Sequence, residues 1–315
     1  MTAPPTGTFE TYQSIGNRED LTDVIYNIDP TDTPGLSGFE TTTATGVLHE
    51  WQTDGLAAAV ATNYVEEGLD ASTDTATPTV RLSNTCQISD KVPRVSGTQQ
   101  AVLKAGRGDE LEYQIAKRAK ELKRDMETQI FANNAEVTGS SGTPREIGGI
   151  PAWLTSNLSE ANDATTSTGL GNTARTDGTA RAFTEDMLKA VLRSCWDNGG
   201  DPDMIHVGAF NKQQMSTFTG NATRQVNAGE KQLYASIDVY DSDFGELQIM
   251  PNRFIDSNYC FVLQMDMFAV AYLRQFQLQN LAKTGDSERR QLLVEYTLES
   301  RNEKASGAVY DLTAS

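Results

Sequence analysis

Histidine is almost absent from this 315-residue chain, which has only His49 and His206. A histidine-rich metal site is thereby excluded, and a histidine-based catalytic triad is disfavoured. Cysteine is as scarce. Cys86, Cys195 and Cys260 are three in number, far apart and without metal spacing. They fit free thiols in a reducing compartment better than a disulfide framework. No apolar run reaches membrane-spanning length, and the longest candidate, FVLQMDMFAVAYL (261–273), carries Asp266 near its middle. The opening MTAPPTGTFE has neither the basic start nor the apolar stretch of a signal peptide. Lysine is missing until Lys91.

That last absence belongs to a larger asymmetry. The net charge is −17, and residues 1–90 carry 14 acidic side chains against Arg18 and Arg81. Residues 91–133 reverse the balance, with nine basic and six acidic. An acidic surface repels phosphate backbones, so a dedicated nucleic-acid reader is disfavoured. An acidic, lysine-free arm followed by a basic stretch suggests attraction between segments, within one subunit or between subunits. The 38% hydrophobic content is enough to fill a core, and the length allows two lobes or one elaborated domain.

Residues 1–45 are rich in Thr, Pro, Gly and Asp, with one amphipathic stretch, REDLTDVIYNI (18–28). Such an arm has too little apolar surface for a core of its own. GVLHEWQT (46–53) and TPTVRLSNTCQIS (77–89) alternate as strands do, around a small, polar connection. Together they predict a long hairpin or extended loop, marginal alone and in need of a neighbour.

The strongest helix signal spans about 109–133. Asp109 and Glu112 form a capping-box-like start, and Leu111, Ile115, Ala119, Leu122, Met126 and Ile130 make one apolar stripe. Lys117, Arg118, Lys120, Lys123 and Arg124 cover much of the rest. The low-complexity stretch 160–181 suggests a mobile surface loop. A helix starting at Thr184 and stopped at Gly199, a buried strand in DPDMIHVGAF and a short second helix indicate an α/β lobe. SIDVYDSDFGELQIMPN predicts strand, turn, strand. The closing segment, LAKTGDSERRQLLVEYTLESRNEKASGAVYDL (281–312), predicts a hairpin with Leu292, Val294, Tyr296 and Leu298 on one buried face and Ala308, Tyr310 and Leu312 continuing the period.

Several strings imitate functional motifs and fail on context. Arg107, Gly108 and Asp109 open a helix. Asp243, Phe244 and Gly245 lack every other kinase element. Asp241, Asp243 and Gly245 misplace the calcium-loop glycine, and position twelve is Asn252 instead of Glu. Gly285 precedes no helix that could offer its N-terminus to a phosphate. Neither a P-loop nor GxSxG occurs, and no catalytic, metal or cofactor site emerges, so no enzyme is visible and no cofactor is expected.

The order of elements and the wording of REDLTDVIYNIDPTDTP, REIGGIPAW, GDPDMIHVGAFNKQQMSTF, SDFGELQIMPNRF and LAKTGDSERRQLLVEYTLESRNEKASG together carry a resemblance. The chain resembles, over nearly its whole length, the tailed-bacteriophage major capsid (major head) protein family with the HK-97-like fold. The resemblance implies an α+β fold: an N-terminal arm (1–45), an E-loop (46–92), a P domain with a long spine helix (93–150), an A domain (151–265) and returning P-domain strands (266–315). It implies a virion shell protein, assembled in the host cytoplasm as hexamers and pentamers of an icosahedral head around double-stranded DNA. The short arm favours a separate scaffolding protein, and portal and decoration proteins are further expected partners. The DNA is contacted without sequence specificity, and no membrane partner is expected.

Glu50, Asp54, Glu66, Glu67 and Asp70 are the candidates for contacting Arg118, Lys120, Lys123 and Arg124 of an adjacent copy. With no lysine in the E-loop before Lys91, the lysine–asparagine crosslink of some such shells is not expected. The competing readings are an encapsulin-like compartment, for which the polar, Pro-rich arm fits poorly, and a cytoplasmic α/β enzyme or binding protein, for which no polar cluster is found.

Overall fold

Proline and glycine shape the start of the described chain. A computed structural model describes residues 30–70, 75–104, 106, 108–218 and 238–314. The amphipathic stretch 18–28, Arg107 and residues 219–237 lie outside the described residues. Pro34 sits in the first turn of α1 (Pro34–Gly38), where its missing N–H costs nothing. β1 (Glu40–Thr43) follows, and then the ladder of β2 (Leu48–Thr53) with β3 (Val80–Thr85), six residue pairs long. Every described residue from 54 to 79 is exposed beyond that ladder. The extended hairpin anticipated from the alternation is therefore present.

β4 (Gln87–Lys91), β5 (Arg94–Ser96) and α2 (Gly97–Ala101) lead to the spine helix α3 (Glu110–Phe131). Its 22 residues span about 33 Å at ~1.5 Å per residue. The Asp109 carboxylate accepts from the N–H groups of Leu111 and Glu112 at 2.8 and 3.1 Å, capping the helix where the sequence placed its start. Leu111, Leu122, Met126, Ile130 and Phe131 are buried against the sheet. α4 (Ile150–Trp153) and β6 (Leu158–Ser159) continue the chain to α5 (Glu185–Asp197). α5 begins after Thr184, though the Thr184 side chain makes no cap hydrogen bond, and Gly199 at φ +83° follows its end.

β7 (Met204–Val207), α6 (Ala209–Met215), β8 (Val239–Ser242), β9 (Gly245–Pro251) and β10 (Cys260–Leu263) complete the lobe. Last come β11 (Phe268–Asn280), β12 (Ser287–Ser300) and β13 (Gly307–Val309). The strands form two main sheets, one ordered β1-β11-β12-β4 with β5 added on β12, the other β6-β13-β10-β7-β9-β8. The larger apolar core lies among α3, the first sheet and α4, and the second between α5, α6 and the six-stranded sheet.

Three expectations require correction. The segment 292–312 is not a hairpin: β12 pairs with β11, β4 and β5, whereas β13 pairs with β10 and β6. Residues 307–309, grouped from sequence with the returning P-domain strands, thus belong to the other sheet. Alternation fixes which side chains share a face, not which strand lies alongside. Nor does β12 have one buried face, since every residue from Leu292 to Ser300 is buried. It is a central strand covered on both sides, and its buried carboxylates, Glu295 and Glu299, are met there by cationic and histidine partners. Finally, 160–181 is not a loop standing off the surface. Ala161, Ser167 and Arg175 are buried, and Asp163 binds the N–H and hydroxyl of Thr179 across the loop.

Candidate intersubunit surfaces

The E-loop is held at its root and uncovered at its tip. At the root, the His49 ring lies 3.0 Å from Glu299, and Trp51 Nε1 donates to the Ser300 carbonyl at 2.8 Å. The Trp51 ring packs on Trp153, with centroids 5.3 Å apart. Glu299 also binds Arg301, which reaches Glu40 of β1 at 2.6 Å. The hydrogen bond from His49, aided by Arg301, holds the Glu299 carboxyl below the ordinary glutamate range. Beyond Thr53 every described residue up to Thr79 is exposed. Leu56, Val60, Tyr64, Val65 and Leu69 are all at least 64% exposed. Five such side chains on one excursion are a patch that a soluble monomer rarely leaves bare.

The candidate contact residues divide between the two surfaces. Asp54, Glu66, Glu67 and Asp70 are exposed on the E-loop, and among the described residues none is paired with the spine helix of the same chain. Glu50 is occupied locally by Arg81 at 3.4 Å across the ladder. On α3, Lys120 and Lys123 are exposed, with Lys117 on the same flank. Arg118 is partly buried and paired with Glu121 one turn on, and the Arg124 guanidinium lies 5.5 Å from the Phe254 ring centroid. Lys120 and Lys123 therefore present free charge, while Arg118 and Arg124 are partly committed within the subunit.

Several Arg and Glu residues of the closing segment are paired inside the chain. Glu295 is 3% exposed and held by both Arg145 at 2.7 Å and Arg274 at 2.6 Å. Two cations on one buried carboxylate satisfy the charge that the alternation had placed facing water.

Sequence reasoning missed the junction where the arm enters the core. Glu127, on α3, is fully buried and accepts from Gly35 N–H at 2.8 Å, Leu36 N–H at 2.7 Å and Asn252 Nδ2 at 2.6 Å. Burial pushes its carboxyl above the usual range, against the pull of those three donors. One side chain thus ties together the arm, the spine helix and the six-stranded sheet. A Cβ at Gly35 would come within 2.3 Å of the Phe131 ring, so only glycine admits this approach. The signal in the sequence was a single charge interrupting the apolar stripe beside Met126.

A second missed centre is Asp311, the one non-glycine residue with positive φ (58°) among those described. It is buried and accepts from Ala161 N–H, Gly178 N–H and both contacts of the Arg175 guanidinium at 3.0–3.1 Å. Burial pushes its carboxyl up, but these donors outweigh it and the net shift is downward. Arg175 in turn lies 4.1 Å from the Tyr310 ring centroid. The three cysteines are free and buried. No cluster of metal-ligating side chains occurs among the described residues, and no described helix is long and apolar enough to cross a membrane.

A family model described as SU10 major capsid protein matches residues 4–313. The chain is 24% identical over 338 residues to the major capsid protein of Escherichia phage Phieco32, an alignment covering 96% of each. Among solved structures it is similar to the capsid asymmetric unit of Cyanophage A-1(L), with a TM-score of 0.66, 13% identity and coverage of 96% and 98%. It is also similar, at TM-score 0.56 and 10% identity, to the holo-SrpI encapsulin complex from Synechococcus elongatus, covering 95% of this chain and 93% of that one. The fold these structures share is the HK-97-like capsid fold anticipated from the order of elements.

Proposed function

The chain belongs to the SU10 major capsid protein family and is a phage major capsid protein, and from that premise we propose that it assembles as hexamers and pentamers of an icosahedral head enclosing double-stranded DNA. The observation that carries the proposal is the E-loop. It extends from a well-fastened root yet leaves five large apolar side chains uncovered, which a neighbouring subunit of a closed shell would bury. Between Thr53 and Val80 the described residues of that loop include Asp54, Glu66, Glu67 and Asp70 and no cation, and the exposed flank of α3 bears Lys117, Lys120 and Lys123.

In this arrangement the E-loop carboxylates of one copy, with Glu50 at their base, lie against Lys120, Lys123, Arg118 and Arg124 of the next. Each rim pair is worth only about 0–1 kcal/mol. A closed lattice repeats the pair at every subunit, so small terms accumulate and assembly becomes salt-dependent. The acidic chain suits a container too, because a strongly basic lining would hold DNA that must slide during filling. A separate scaffolding protein, a portal and decoration proteins complete the proposed partners, with assembly in the host cytoplasm.

The test reverses three charges together, Lys120→Glu, Lys123→Glu and Arg124→Glu. Losing the Arg124 stacking on Phe254 costs about 0.5–1 kcal/mol, too little to unfold the subunit. The variant is expected to keep its circular dichroism and fail to form particles in negative-stain micrographs. Normal heads from a folded variant would overturn the charge-pairing scheme.

A further inference from the structure

The distal half of β11 is an open sheet edge. β1 covers β11 only from Ala269 to Tyr272, and the bond from Ala44 N–H to the Tyr272 carbonyl ends that cover. From Gln275 to Asn280 every residue is exposed, and on the other side β11 keeps only β12. Among the described residues no strand pairs with the outer edge beyond Tyr272. Sheet edges are ordinarily blunted by lysine, proline or inward charge. The sequence QFQLQN (275–280) contains none of these. Its register irregularities lie before Gln277, which leaves the stretch from Gln277 to Asn280 regular. Phe276 and Leu278 add apolar surface, 37% and 45% exposed.

We propose that this edge pairs with the same edge of a second copy, antiparallel about a twofold axis through Gln277. The occupant is argued from the sequence of the edge itself. Such a dyad sets Phe276 opposite Leu278, Gln275 opposite Gln279 and Arg274 opposite Asn280. Apolar meets apolar and amide meets amide, and no charge faces its own image. Arg274 is already neutralised by Glu295 at 2.6 Å. An isologous contact needs this self-complementarity. The pairing extends each four-stranded path across the dyad and satisfies backbone groups that otherwise face water. It rests on the shell reading, in which copies meet about twofold axes, but concerns a surface separate from the E-loop and spine helix.

Cysteine crosslinking reads the register directly. In antiparallel pairs, residues on the dyad lie about 4.5–5.5 Å apart at Cα, within the roughly 4.4–6.8 Å that a disulfide spans. The three native cysteines are buried and do not interfere. In oxidised particles, Gln277→Cys is expected to convert the 34.3 kDa band into one of twice that mass on non-reducing gels. Gln279→Cys is expected to stay monomeric, since its copies lie about 14 Å apart along the strands, four residues at ~3.4 Å each. Phe276→Asp, at an exposed position outside both cores, is expected to preserve circular dichroism while particle yield falls about tenfold, which corresponds to ~1.4 kcal/mol. Particles that assemble normally but show no Gln277→Cys dimer, or equal dimer from Gln279→Cys, overturn the paired edge and show that something else covers it. Failure of the unsubstituted chain to form any particle counts instead against the shell reading.

Discussion

His206 sits fully buried on β7, its ring 5.3 Å from Phe131, and neither ring nitrogen has a hydrogen-bond partner among the described residues. Replacing it by leucine keeps the volume nearly constant and removes two unpaired polar atoms. Burying such a group without compensation costs about 1–3 kcal/mol on mutational scales, so His206→Leu is expected to stabilise the subunit by about 1–2 kcal/mol at pH 7. The gain grows in acid. Burial depresses the folded-state pKa to about 4 from an ordinary value of 6.5. Between these values the unfolded chain binds a proton that the folded chain refuses, so native stability is lost as pH falls from 6.5 towards 4. At pH 5 the linkage amounts to ~2 kcal/mol, which the leucine variant does not suffer. Its total advantage there is about 3–4 kcal/mol. At ~2.1 cal/mol/K per residue, a chain of 315 residues shifts its Tm by about 1.5 °C per kcal/mol. Calorimetry of unassembled protein should therefore show the variant melting about 2 °C higher at pH 7 and about 5 °C higher at pH 5. Other titrating groups are common to both proteins and cancel in the difference. A Tm advantage that is equal or smaller at pH 5 would refute the reasoning.

Two further substitutions probe the buried carboxylates. Glu127→Ala strands the N–H groups of Gly35 and Leu36 and the Asn252 amide, at about 1–3 kcal/mol per orphaned donor, so a loss of about 4 kcal/mol is expected in chemical denaturation, with Gly35 and Leu36 amides gaining the fastest hydrogen exchange. An unchanged denaturation midpoint would show that the arm is not held there. Asp311→Ala strands the N–H groups of Ala161 and Gly178 and removes one of the carboxylates around buried Arg175, which keeps Asp177 and Glu160, and is expected to cost about 3 kcal/mol, accompanied by new protease cleavage within 160–181. Resistance to proteolysis equal to that of the unsubstituted chain would show that other contacts hold the loop.

The pattern of legible and illegible features follows the range of the forces involved. Local signals were strong where one element decides its own structure. Asp109 starts the spine helix because its carboxylate caps the next two free N–H groups, and the apolar stripe behind it could only face a core. The Asp243–Phe244 turn between β8 and β9 was likewise written locally. The exposed E-loop was legible as an excursion between two short strands with no core of its own, although its five large apolar side chains were not singled out by a composition otherwise small and polar.

What the sequence could not carry were the long-range pairings. Glu295, Thr297 and Glu299 alternate with apolar residues as solvent-facing positions do. Only the arrival of Arg145, Arg274 and His49 from other segments, with Arg301 just past the strand's end, pairs its carboxylates and makes that face a buried one. Residues 160–181 have the composition of a free loop, yet Arg175 and Asp311, 136 positions apart, pin it. Composition and periodicity thus determined which segments lack cores and where the helix runs, while the wording and order of particular segments carried the resemblance to a shell protein. Partner choice among strands and the burial of charges were decided only by the tertiary structure, because a carboxylate looks the same in the sequence whether water or a distant guanidinium completes it.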